Sequence, residues 1–67
     1  MTNSEHIYEA IARSLRDFGY IDATAQMVRD TDEQPGMRPH GIISMFAEKQ
    51  LAEAREAGLL DVPANAS

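Results

Sequence analysis

The acidic and histidine side chains near the N-terminus are the first residues that could do chemistry, because they share one face of a predicted helix. His6 and Glu9 lie three residues apart, and Glu5 and Glu9 lie about one helical turn apart. Carboxylate-bridged metal sites need several glutamates and a Glu-x-x-His order that is repeated on facing helices. Here the order is reversed and occurs once, and His40 has no partner at ligand spacing. We therefore predict no metal and no cofactor.

The serine side chains form no recognisable catalytic group. A nucleophilic serine needs an adjacent general base and a third group that orients that base. Ser4, Ser14 and Ser44 are present, but no spacing places any of them beside His6 or His40. A chain of 67 residues also has little room for a pocket that desolvates a substrate. We expect a protein without enzymatic activity.

Gly19 lies in a tight connection between two predicted helices, as in a helix-turn-helix. In that motif the residue four positions before the glycine is small, but here it is Leu15. The helix that would read DNA carries or adjoins four acidic residues, Asp22, Asp30, Asp32 and Glu33. Six basic against eleven acidic residues give a net charge of −5, which opposes the phosphate contacts that dominate affinity for nucleic acid. Nucleic-acid binding is therefore disfavoured.

Length and composition restrict the class of protein further. Sixty-seven residues form one domain at most and bury only a small core. There is no cysteine, so disulfides and thiolate metal sites are excluded. The first residues, 1–6, have neither a basic region nor an apolar run, and no stretch approaches the roughly 20 apolar residues of a membrane span. We expect a cytoplasmic protein without membrane association.

Hydrophobic periodicity predicts an all-α fold with three helices, of which the first covers residues 4–18. It begins at a capping box formed by Thr2 and Glu5, with Ser4 as a competing N-cap, and ends at a glycine. Its apolar residues recur at helical spacing and predict the buried face: Ile7, Tyr8, Ile11, Ala12, Leu15 and Phe18. Tyr20 and Ile21 follow the glycine and are expected to close the corner to the second helix.

The second predicted helix is short and covers residues 22–30, with Asp22 or Thr24 as its N-cap. An acidic loop over residues 31–39 follows it. Within this loop, Pro35–Gly36 is a strong turn signal, because proline and glycine favour the backbone angles of turns.

The third predicted helix covers residues 41–57 and ends in a Schellman-type motif, in which Leu59 follows Gly58 and folds back onto the last turns. Its apolar arc spans half of the helix, more than one neighbouring helix covers. Residues 61–67 are predicted to form a frayed tail, so that residues 1–60 make up the single domain.

The candidate interface is a line of mainly small residues on the third helix. Ile43, Ala47, Gln50, Ala54 and Ala57 are alternately four and three residues apart. The alanines allow another helix to approach closely, and a polar residue such as Gln50 can set the register of packed helices. The line could pack on the first helix of the same chain or on a second chain, and the width of the arc favours some of each.

Two stretches of the sequence resemble known groups of proteins. Residues 41–51 (GIISMFAEKQL) together with residues 15–20 (LRDFGY) are similar to small uncharacterised helical proteins of actinobacteria and their phages. That resemblance implies an intracellular bacterial or phage protein and brings no activity or functional residues. Residues 19–20 (GY) and 24–25 (TA) also resemble the LisH dimerisation motif in kind, although the spacing is one residue longer here.

The function predicted from these features is that of a non-enzymatic protein-interaction protein that forms a homodimer. A short chain without cysteine or metal commonly buries its remaining apolar surface against a second copy. Two alternatives stay open: a small nucleic-acid-associated regulator, and an acidic inhibitor or decoy that occupies a basic surface on another protein. An unidentified protein partner is a further possibility.

Overall fold

The computed structural model describes residues 3–60, which form three helices: α1 (Asn3–Phe18), α2 (Ala25–Glu33) and α3 (Ile42–Glu56). This confirms the predicted all-α arrangement of three helices. None of these helices is long and apolar enough to cross a membrane. Thr2 of the predicted capping box and the predicted tail over residues 61–67 lie outside the described residues.

Helix α1 buries most of the predicted stripe and ends where the sequence predicts. Tyr8, Ile11, Ala12 and Leu15 are each at most 8% exposed. The glycine at position 19 has a φ of 135°, which favours glycine, and the amide of Tyr20 donates to the Leu15 carbonyl oxygen at 2.9 Å. The prediction was wrong for Phe18, which is 73% exposed because it ends the helix at the edge of the stripe.

Helix α2 lies three residues further along the chain than predicted. Thr24 is its N-cap, and its hydroxyl accepts a hydrogen bond from the Met27 amide at 3.3 Å. The predicted loop therefore begins at residue 34 and not at residue 31. Thr31 explains the difference, because its side chain is buried against α3 and its hydroxyl donates to the Met27 carbonyl oxygen, a bond compatible with helix.

The corner between α1 and α2 uses one of the two predicted residues. Tyr20 is half-buried, whereas Ile21 is 79% exposed and does not pack on the core as predicted. The Arg16 guanidinium donates to the Ala23 carbonyl oxygen at 2.9 Å and so holds the corner against α1. This hydrogen bond therefore stabilises the corner that Ile21 was predicted to close.

Helix α3 packs on α1 and α2 through small residues. Ser44, Ala47 and Ala54 are buried together with Leu51, so the helix approaches its neighbours closely. The predicted ending is confirmed in its backbone, since the amide of residue 59 donates to the Ala54 carbonyl oxygen at 2.8 Å. Leu60 is the buried side chain, however, and Leu59 is 55% exposed, which corrects the predicted contact.

A polar contact joins all three helices at Asp32 of α2. Its carboxylate accepts a hydrogen bond from the Tyr8 hydroxyl of α1 and forms an ion pair with Arg55 of α3 at 2.8 Å. Burial, together with the hydrogen bond to Asp32, raises the pKa of Tyr8 to about 12. The Asp32 carboxylate therefore links α2 to both α1 and α3 through polar contacts, in addition to the apolar core.

Candidate interaction surface

Three aromatic rings from different elements meet at one end of the molecule. The ring centroids of Phe18 and Tyr20 are 6.0 Å apart and the rings are stacked, and Phe46 lies 5.4 Å from Tyr20 and 5.9 Å from Phe18. The left-handed glycine at position 19 ends α1 and turns the chain back, which brings two residues adjacent to it together. Sequence reasoning missed this cluster, although aromatic residues on both sides of a helix-ending glycine were a visible signal.

The cluster continues as an exposed apolar surface on the first half of α3. Ile42 lies one helical turn before Phe46 and is 53% exposed, and Met45 is 49% exposed. We call Phe18, Tyr20, Ile42, Met45 and Phe46 the aromatic face. Adjacent exposed apolar side chains of this size mark interaction sites in soluble proteins more often than isolated ones do.

A groove of about 730 Å³ runs between α1 and α3 beside the aromatic face. Buried Leu15 lies at its floor, and Phe18 and Phe46 lie at one end. Its remaining lining is polar or charged: Ser14, Asp17, Lys49, Gln50 and Glu53. The groove therefore combines an apolar anchor point with a rim that carries charges of both signs.

The candidate interface predicted on α3 divides into two lines in the structure. Ala47 and Ala54 are 0% and 8% exposed and belong to the core of this chain. Ile43 and Gln50 are half-buried and Ala57 is exposed. The alanines are therefore used within the chain, where they let α3 approach its neighbours, and only the second line is accessible to another molecule. Dimerisation itself stays a prediction.

Most of the positive charge of the chain is engaged in ion pairs within it. Four of the six basic residues pair with carboxylates, Arg16 with Glu9, Arg29 with Glu5, Arg38 with Glu48 and Arg55 with Asp32. Arg29 also lies over the Tyr8 ring, 5.7 Å from its centroid. Arg13 and Lys49 form no ion pair with any carboxylate of residues 3–60.

His40 has a partner that the sequence did not predict. Its Nε2 lies 2.8 Å from Oδ2 of Asp30, whose other oxygen accepts a hydrogen bond from the Gln26 amide at 2.8 Å. The bond to His40, followed by the bond to Gln26, lowers the pKa of Asp30. Asp30 lies in α2 and His40 lies near the end of the loop between α2 and α3, so no local spacing could have revealed the contact. The described part of the chain brings no three potential metal-ligating side chains together.

Ser44 lies beside His40, although the sequence analysis placed no serine next to a histidine. The contact is made by the backbone amide of His40 and not by its imidazole. The His40 amide donates to Ser44 Oγ at 2.9 Å, and Ser44 Oγ lies 2.8 Å from the Thr31 hydroxyl. Because the Thr31 hydroxyl donates to the Met27 carbonyl oxygen, the proton of Ser44 points to Thr31. The Ser44 hydroxyl is thus buried and donates to another hydroxyl, and its role is to join α2 to α3.

Comparison with known proteins adds no relative from which a function could be transferred. No protein-family model matches the sequence, and neither a curated protein nor a solved structure matches it. The resemblance to small helical proteins of actinobacteria and their phages therefore stays a prediction.

Proposed function

We propose that this chain is a non-enzymatic protein-interaction protein that forms a homodimer through the aromatic face and the adjoining groove between α1 and α3. The observation that carries the proposal is the 73% exposure of Phe18, whose ring packs on Tyr20 and Phe46 in a surface that also exposes Ile42 and Met45. Aromatic side chains have large apolar areas, and a partner that covers them gains more than a partner on a charged surface.

A second copy is the occupant that we propose for this surface, because a chain of this size has enough surface for a standard interface. A standard interface buries roughly 800 Å² on each partner, which is less than a fifth of the 4531 Å² surface of the chain. Ser14 and Ala57 are small and exposed, so they leave room for a helix to approach α1 and α3. Two such helix pairs related by a two-fold axis would form a four-helix arrangement, a common architecture of helical dimers.

The non-enzymatic part of the proposal is supported by the positions of the chemically capable side chains. Ser44 is buried, and its hydroxyl contacts the backbone amide of His40 and not the imidazole, so the two side chains do not form a nucleophile–base pair. The groove beside the aromatic face presents Lys49, Asp17 and Glu53 at its rim, all exposed, so nothing there is desolvated in the way that catalysis requires.

The mass of the chain in solution tests the proposal. Light scattering across the micromolar range should give twice the 7.4 kDa of one chain. Phe18→Glu should give 7.4 kDa with an unchanged helical circular dichroism spectrum, because it places a charge where apolar surface is buried. Met37→Glu is the matched control, since Met37 is 72% exposed but lies on the α2–α3 loop. A wild-type chain of 7.4 kDa at all concentrations, or a dimeric Phe18→Glu variant, would refute the proposed dimer.

A further inference from the structure

We infer that Lys49 determines how two copies recognise each other, by pairing with the acidic rim formed by Asp17 and Glu53 of the second copy. The inference rests on the proposed dimer and names the charged contact that selects this partner. It is supported by the positions of these three side chains in one groove and by their lack of ion pairs with residues 3–60.

Among the described residues that line the groove between α1 and α3, Lys49 is the one cation. Asp17 and Glu53 line the same groove, and all three residues are exposed. A second copy that covers the neighbouring rings of Phe18 and Phe46 would exclude water from this part of the groove. A charge pair at the edge of a covered apolar surface is screened less than a pair in free solution.

The charged side chains of this groove form no ion pair with residues 3–60. Arg55, which lies further along α3 than Lys49, is paired with Asp32, whereas Lys49 forms no ion pair with any carboxylate of the described residues. Asp17 and Glu53 likewise have no ion pair with a described basic side chain. The groove thus holds a cation and two anions that are free to pair with another molecule.

Two-fold symmetry makes this charge pattern self-complementary. In such an interface the same surface of each copy meets its counterpart, so a residue away from the axis faces a different residue of that surface. The charged residues that Lys49 can face in the second groove are acidic. Two chains of charge −5 repel each other, and these contacts oppose that repulsion at the point of contact.

Charge exchange between two variants provides the test. Lys49→Glu makes the groove entirely acidic, and the double variant Asp17→Lys with Glu53→Lys makes it entirely basic. Each variant alone should have a dimer dissociation constant at least about tenfold higher than the wild type in sedimentation at low salt. An equimolar mixture should form the dimer again, as a heterodimer. Circular dichroism of each variant checks that the exposed substitutions leave the helices intact.

Arg13→Glu is the matched control. Arg13 is the other basic residue that forms no ion pair with a carboxylate of the described residues, and its reversal changes the net charge by the same amount as Lys49→Glu. It lies outside the lining of the groove, so we expect a change in dissociation constant of less than about threefold. An equal weakening by both reversals would attribute the effect to net charge and would overturn the inference.

The outcomes separate this inference from the proposed function. A wild-type chain that stays monomeric refutes both. A dimeric wild type whose affinity is unchanged by Lys49→Glu refutes the role of Lys49 and leaves the dimer in place. If the two folded variants fail to assemble when mixed, the role of Lys49 is also refuted, because complementary charges then do not restore dimerisation.

Discussion

The Tyr8 hydroxyl of α1 donates a hydrogen bond to the Asp32 carboxylate of α2 across the interior of the molecule. The contact needs a protonated tyrosine, since a phenolate has no proton to donate. Burial and this bond raise the pKa of Tyr8 to about 12, from a value of about 10 in an unfolded chain. The ionisation of one side chain is therefore linked to folding.

We predict that the free energy of unfolding contributed by this link is constant below about pH 10 and falls as the pH rises towards 12. The sign follows because the unfolded chain releases the tyrosine proton at lower pH than the folded chain, so high pH favours unfolding. Urea melts at intervals between pH 8 and 11.5 measure the effect. Tyr8→Phe should show a flatter alkaline decline, and an equally steep decline in that variant would contradict the assignment to Tyr8.

Asp32 should contribute more to stability than its acidic neighbour does. Asp32→Ala removes the acceptor of Tyr8 and a carboxylate partner of Arg55, and we expect a loss of about 2–3 kcal/mol. Glu33→Ala is the control, because Glu33 is exposed and its removal should change stability by less than about 0.5 kcal/mol. Thermal and chemical melts compare the stability of the two variants. Equal losses would mean that the contacts of Asp32 with Tyr8 and Arg55 add no stability.

The hydroxyl contact between α2 and α3 should behave as a coupled pair. Thr31→Val keeps the shape of the side chain but leaves the buried Ser44 hydroxyl without its acceptor, at a cost of about 1–2 kcal/mol. Ser44→Ala should also destabilise, because the His40 amide loses its acceptor. The double variant should cost about 0.5–1 kcal/mol less than the sum of the two single losses. Strict additivity in a double-mutant cycle would show that the two hydroxyls do not interact.

Leu15 and Phe18 belong to one predicted stripe, but truncation to alanine should affect the stability of the chain much more at Leu15 than at Phe18. Leu15 is 2% exposed, so Leu15→Ala should destabilise the chain by about 2–5 kcal/mol. Phe18 is 73% exposed, so Phe18→Ala should cost little in the stability of a dilute, monomeric chain and should weaken dimerisation instead. Urea melts at low concentration, paired with light scattering, separate the two effects. A large loss of monomer stability in Phe18→Ala would show that Phe18 belongs to the core and would contradict this prediction.

The elements that depend on local interactions could be predicted from the sequence. The helical period placed α1, because hydrophobic spacing and a terminal glycine act within one helix. The same reasoning found the backbone ending of α3 at Gly58, whose φ is 77°. It also identified Thr24 as one of two caps for α2. These features were readable because their partners lie within a few residues.

Which residues of each element are buried depends on how the three helices pack on one another. Thr31 reads as loop in the sequence, but burial against Ser44 extends the helix through it. The candidate interface was one continuous line in the sequence, and packing on the other helices took Ala47 and Ala54 into the core. The aromatic face arises where the end of α1 and the corner that follows it meet α3, and Lys49 lines the groove between α1 and α3. Contacts between residues that are distant in sequence have no local pattern, so only the packed chain could show them.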